Sequence, residues 1–200
     1  MGSAVTDWRV TVPEGARGPW RVERFEIDKK GADWHNMLTS FQPGMGRRLV
    51  EPGTYTRLLR GNTVVMSDTS AEQHDHTYAF YQATGRVLIH GLGLGMFLGA
   101  VLRKPEVTQV TVVEIDADVI ALVGPHYQQM ADAQGKTLEI IRADALTWKP
   151  PKGARWDVAW HDIWDDICSD NLPAMKRLHR RYGRRAGWQG SWARELITYC

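Results

Sequence analysis

Four clusters of glycine and acid, spread over residues 91–162, are of the kind that grips a nucleotide-like ligand. The run His90-Gly91-Leu92-Gly93-Leu94-Gly95 sets glycines at alternate positions, and Glu114 follows at the roughly 20-residue spacing of dinucleotide-binding chains. Glycines let the backbone turn tightly and bring its N–H groups close to a ligand. A helix beginning there offers its positive end to an anionic group. An acid at the end of the next strand suits ribose hydroxyls, which donate to a carboxylate. Asp144-Ala145 and Asp162 repeat the pattern further along the chain. Taken singly, the run is a tight turn and each acid a solvated loop residue; the chemistry requires that the fold bring them to one edge. Asp162-Ile163-Trp164-Asp165 pairs two carboxylates three positions apart. Such a pair binds an ammonium, or supplies a general base toward an acceptor. Trp160 and Trp164 beside it offer pocket walls and cation–π surface. The plainer alternatives are Trp160 in the core and Asp165 capping the next helix.

These positions call for alternating strands and helices. Residues 86–89, 109–115, 138–142 and 156–160 read as short apolar strands, and 96–103 and 118–129 as the helices between the first three. That order implies right-handed crossovers and a parallel sheet covered on both faces. In such a sheet, ligands bind beyond the carboxyl ends of the strands, where all four clusters would fall. A helix over 70–83 precedes the first strand and another over 172–184 follows the fourth. Nothing in 188–200 reads as a strand, so the expected fold is α/β and Rossmann-like, with a parallel sheet that stops after its fourth strand. Residues 5–70 read as short β pieces (8–12, 20–27, 54–59, 63–66) with a hairpin loop at Arg60-Gly61-Asn62 and a short helix over 33–40. The division expected is an N-terminal antiparallel β lid, 1–70, and a ligand-binding unit, 71–200.

The stretches VLIHGLGLG, VTVVEIDADVI, LEIIRADAL and WDVAWHDIWDD resemble the class I S-adenosylmethionine-dependent methyltransferases, most closely their spermidine-synthase-like branch. The resemblance covers about 80 residues well. It implies S-adenosylmethionine as cofactor, with Gly91, Gly93 and Gly95 under its amino-acid part and Glu114 on the ribose. Ile115 would pack on adenine, Asp144 would accept from the adenine amino group beside Ala145, and Asp162 would face the sulfonium. Glu72, Tyr78 and Trp164 are the expected acceptor-side residues, and Asp162 and Asp165 the catalytic pair. Two departures stand out. Spermidine synthases carry GGGDG, whose acid holds the free amine of a decarboxylated donor; Leu94 occupies that position here. The DxxD spacing is kept without its following proline. Leu94 therefore points to methyl transfer onto a small acceptor, amine-bearing if the acid pair is used. The alternatives are aminopropyl transfer, or an adenosyl-binding module without catalysis, as a truncated sheet would suggest.

Bulk properties narrow the classes. Two hundred residues, 43% hydrophobic and 24% charged, suit a globular chain. Cys168 and Cys200 stand without a CxxC or Cys/His cluster, which argues against disulfides and structural zinc. His74, Asp75 and His76 sit too close in sequence to share a helix face, so no metal is expected. No signal-like or membrane-length apolar run occurs, and the expected setting is the cytoplasm. From Leu172 onward seven bases face Glu195 alone. Interleaved with Trp188 and Trp192, they suggest a solvated face or a homo-oligomer contact, with nucleic acid the less favoured partner.

Overall fold

A computed structural model describes residues 8–42, 46 and 48–199; Cys200 lies outside them. The parallel sheet is built from β5 (Gly85–His90), β6 (Val107–Glu114), β7 (Thr137–Arg142), β8 (Trp156–His161) and β9 (Ala186–Ser191), in the spatial order β7-β6-β5-β8-β9. Renumbered from the first parallel strand, that order is 3-2-1-4-5, the Rossmann arrangement. The expected truncation after the fourth strand is thus corrected. β9 runs parallel to β8, with Val158 opposite Trp188 and His161 opposite Ser191. Its sequence, AGWQGS, lacks the β-branched run that marks a buried strand. The glycines have a packing reason: a Cβ at Gly190 would lie 2.5 Å from the Trp188 ring, and one at Gly187 would lie 3.0 Å from the Asp157 carbonyl.

Helices α3 (Met96–Leu102), α4 (Ala117–Ala133) and α5 (Leu172–Tyr182) connect these strands, and α2 (Ser70–Gln82) leads into the first. α3 is buried at every position, which its sequence, MFLGAVL, requires. The glycine run is fixed from within the protein. Gly91, Gly93 and Gly95 all have positive φ, at 88°, 50° and 71°. A Cβ on Gly91 would stand 1.8 Å from the Asp162 carbonyl oxygen, and one on Gly95 would stand 2.1 Å from the Tyr127 ring. Gly91→Ala therefore forces backbone against backbone. The expected cost is about 3 kcal/mol or more, read as a melting temperature lower by roughly 6–12 °C. A change below 2 °C, about 1 kcal/mol or less, would contradict this packing.

N-terminal to this sheet, β1 (Gly15–Arg17), β2 (Trp20–Ile27), β3 (Gly53–Arg60) and β4 (Thr63–Ser67) form an antiparallel sheet in chain order. The β3–β4 turn falls on Gly61-Asn62, as the sequence implies. α1 (Lys29–Ser40) starts earlier than expected, capped by Asp28, whose carboxylate accepts from the Gly31 N–H. Residues 8–12 alternate buried and exposed but join no ladder. Instead the Val10 N–H donates to Asp68 Oδ2, while Asp68 Oδ1 accepts from the Thr56 N–H. One apolar core joins both sheets, with Trp8, Val12, Val22 and Leu58 packing into the cluster that holds Val87, Ile89 and Val110. The other face of the parallel sheet buries Leu88, Val113, Ala159, Leu178 and Tyr182. No helix among the described residues is long and apolar enough to cross a membrane.

Candidate functional site

A cavity of about 530 Å³ opens where β5, β6, β7 and β8 end. The antiparallel sheet roofs it through Trp20, Leu58, Arg60, Val65 and Met66. Trp20 fastens the roof to the floor, its indole Nε1 donating to Asp116 Oδ2 at 2.8 Å. Asp116 also caps α4, accepting from the Asp118 and Val119 N–H groups.

Most of the anticipated residues meet here. Gly91, Gly93, Glu114, Ile115, Asp144, Ala145, Asp162, Trp164, Asp165 and Glu72 all line the cavity. Glu114 is 8% exposed; its Oε2 accepts from the Leu92 N–H at 2.7 Å and its Oε1 from the Asp116 N–H at 2.9 Å. Each oxygen keeps a lone pair for a further donor. Ile115, 65% exposed beside it, presents bare apolar surface to the cavity. Asp144 is turned into its own loop, accepting from the Leu146 N–H and the Thr147 hydroxyl.

Three expectations land elsewhere. Gly95 caps α3 in a left-handed conformation and does not line the cavity. Tyr78 is 63% exposed and rests edge-on against Trp188, outside the cavity. Leu94 is fully buried in the core. Its N–H meets Met66 Sδ at 3.3 Å and its carbonyl accepts from the Tyr127 hydroxyl. Leu94 therefore does not line the cavity and offers no carboxylate to a donor's ammonium.

The second end of the cavity is acidic. Asp162 follows β8, its N–H donating to the His90 carbonyl. Its carboxyl is pushed well above the usual carboxylate range, first by burial and then by the charges of Glu72, Asp75, Asp165 and Glu114. Burial likewise raises Glu72 to about 7, against hydrogen bonds from the Ser67 N–H and hydroxyl. His76, which sequence reasoning did not place here, is buried between Phe97 and Trp160. The Trp160 indole N–H donates to its Nδ1 at 3.1 Å, so the neutral ring carries its proton on Nε2. That Nε2 has no hydrogen-bond partner and stands 3.7 Å from Asp162 Oδ2. Seeing it from sequence required knowing which face of α2 meets β8. His74 is exposed, Asp75 pairs with Arg48, and no cluster of three or more metal-ligating side chains occurs among the described residues.

Beneath the cavity floor, His90 and His161 face one another across β5 and β8, Nδ1 to Nδ1 at 2.7 Å with stacked rings. Gln189 Oε1 lies 3.3 Å from His161 Nε2 and takes its proton, which makes His161 Nδ1 the acceptor from His90. Burial holds His76 and His161 down at about 3 and His90 well below its ordinary value. A histidine depressed in this way is neutral when folded but binds a proton once unfolded below pH 6.5. Stability should then be lost as pH falls from 6.5 toward 3, at about 1.4 kcal/mol per pH unit for each ring. Glu72 acts in the opposite sense between pH 4.5 and 7, and the raised carboxyls of Asp162, Asp68 and Asp75 do so above pH 3.8. The loss from the three rings is therefore offset until those acids are protonated in the unfolded chain as well. Chemical denaturation at stepped pH values of wild type and of His161→Gln checks this; equal pH slopes from 6 to 4 in the two proteins would contradict the buried neutral ring.

No protein-family model matches the chain. Over 80 residues, 39% of its length, it is 36% identical to a polyamine aminopropyltransferase of Synechococcus sp. (strain JA-2-3B'a(2-13)). The match spans about a quarter of that relative, 26%. Among solved structures, the chain is similar to the glycopeptide N-methyltransferase MtfA complexed with sinefungin. The identity is 14%, over 57% of this chain and 45% of that one, with a TM-score of 0.44. It is also similar to an S-adenosylmethionine-dependent methyltransferase from Clostridium acetobutylicum ATCC 824, at 10% identity over 57% and 43% of the two chains, TM-score 0.40. The fold class rests on this chain's own strand order: an α/β Rossmann-like sheet with its crevice between β5 and β8, where the order reverses.

Proposed function

We propose that this chain is an S-adenosylmethionine-dependent transferase that alkylates a small amine, with methyl transfer the leading reaction. The observation that carries this reading is the shared cavity, which sets Glu114 and exposed Ile115 beside a cluster of buried acids. The residues fit an adenosyl group. Glu114 keeps two acceptor sites for the ribose hydroxyls, Ile115 offers a flat apolar contact for adenine, and Ala145 and Leu146 bring backbone to the same wall. When bound, S-adenosylmethionine supplies a methyl group already activated by its sulfonium. The protein then has only to align an acceptor and take its proton. Glu72, Asp162 and Asp165 attract a cationic amine, and Trp164 offers a ring face to it. In its ionised form Asp162 takes the proton that the amine loses as its nitrogen gains the new bond, and its raised affinity for a proton makes that form a stronger base.

Aminopropyl transfer is the second reading, and one feature favours it. Arg60, which lies over the Trp20 ring, is the cation lining the cavity among the described residues, against six acids. A donor without a carboxylate suits such a lining better than one with it. The covered edge at β8 weakens the third, non-catalytic reading, because β9 supplies the strand whose absence supported it. Calorimetric titration with S-adenosylmethionine and with its decarboxylated form separates the first two. Tighter binding of the intact form is expected for methyl transfer. Preference for the decarboxylated form would move the reading to aminopropyl transfer, and binding of neither would overturn both.

A further inference from the structure

Away from the cavity, at the edge of the parallel sheet where β8 and β9 begin, five arginines surround a hollow of about 420 Å³. Arg155 precedes β8; Arg180, Arg181, Arg184 and Arg185 come from the end of α5 and the turn into β9. Gly153 and Ala154 complete the lining, and no acid takes part. Three guanidiniums are anchored on backbone. Arg155 donates to the Arg184 carbonyl, Arg185 to that of Ala154, and Arg181 to those of Ala145, Leu146 and Trp148. The Arg180 and Arg184 side chains have no hydrogen-bond or ion-pair partner among the described residues. Like charges crowded around a concave surface repel one another, and a ligand of opposite charge relieves that repulsion. Guanidinium forks match phosphate oxygens in geometry as well as charge.

A second hollow of about 350 Å³ shares Ala154 and Arg155 with the first. Trp148, Pro151 and Ile141 give it apolar walls, with Trp156 buried behind them, and Arg86 and Lys149 outnumber its one acid, Glu139. Indole surface adjoining a phosphate-sized cluster of guanidiniums is the pairing that nucleotides present: a stackable base joined to an anionic tail. We propose that the two hollows form one nucleotide site, with phosphates on Arg180 and Arg184 and the base against the partly exposed Trp148 ring. This uses four arginines of the basic C-terminal stretch, Arg180, Arg181, Arg184 and Arg185, which the transferase reading leaves unused, and does not depend on that reading.

The same chemistry arises from a free nucleoside polyphosphate or from a nucleic-acid strand, and three probes distinguish them: inorganic tripolyphosphate, guanosine triphosphate and an oligothymidylate, titrated at about 0.1 M salt. Guanosine triphosphate should bind about tenfold more tightly than tripolyphosphate, through the stacked base. The double variant Arg180→Gln/Arg184→Gln should weaken it at least about tenfold while leaving the melting temperature unchanged, because neither side chain holds backbone. Oligothymidylate binding tighter than guanosine triphosphate assigns the ligand to a strand; the reverse order assigns it to a free nucleotide. Absence of binding by all three, wild-type affinity in the double variant, or equal affinity for tripolyphosphate and guanosine triphosphate would overturn the proposal. S-adenosylhomocysteine titrated into the same double variant reports on the cavity separately and should be unaffected.

Discussion

Glu114→Ala should reduce affinity for S-adenosylhomocysteine by at least about a hundredfold. Two ribose hydroxyls donating to one carboxylate are charge-assisted bonds, each worth roughly 1.5–3 kcal/mol, and their joint loss spans about two to four decades in Kd. The substitution also strips the acceptor from the Leu92 and Asp116 N–H groups, so part of the loss arises from a loosened glycine turn. Glu114→Gln separates the two effects. It keeps one acceptor for the turn but sets an amide donor against the other N–H, and should bind between wild type and alanine. Isothermal titration on protein with wild-type circular dichroism gives the answer. Unchanged affinity in a folded Glu114→Ala variant would remove the adenosyl assignment.

Asp162→Asn should leave S-adenosylhomocysteine affinity within about threefold and lower kcat by about 10²–10⁴, the usual worth of a general base. The pH profile is the sharper readout. A carboxyl whose folded value is raised is ionised only above that value, so wild-type kcat should climb with pH through its titration and flatten above it. Asparagine cannot titrate, and the climb should disappear. His76 bears on the same step through its Nε2–H, directed at Asp162 and free of other partners. Hydrogen bonds that are long in an empty site tighten when the reacting complex forms. His76→Gln should accordingly shift the climb along the pH axis, whereas a purely structural role would lower stability and leave its midpoint in place. An Asp162→Asn enzyme with wild-type kcat and an unchanged profile would dismiss Asp162 as the base.

Much of this was readable from residue types alone. The glycine run, Glu114, Asp144 and Asp162 occur at strand ends because the apolar stretches of the sheet are continuous and its crossovers short. Periodicity therefore places them at one edge without knowledge of any contact. The roof was not readable in the same way. Trp20, Leu58, Arg60 and Met66 reach the cavity only because the antiparallel sheet docks on α4 and the strand ends, a long-range packing decision with no local signature. β9 escaped because two glycines interrupt it for reasons of close packing against β8, contrary to strand propensity. Tyr78 was misplaced by one helical face: α2 turns His76 inward toward Trp160 and leaves Tyr78, two residues on, in solvent.

The close approach of the first glycine to the Asp162 backbone has an evolutionary consequence. Gly91 and the Asp162 carbonyl interlock with no room for a methyl group, and the Asp162 N–H is tied to His90. Donor loop and acid pair are therefore a single rigid casting, and neither can drift without carrying the other. Diversification toward new acceptors must come from the opposite wall, where Arg60 and Val65 hang from hairpin strands able to vary one side chain at a time. Directed evolution confined to that wall should reach new specificities that libraries built around Asp162 would not.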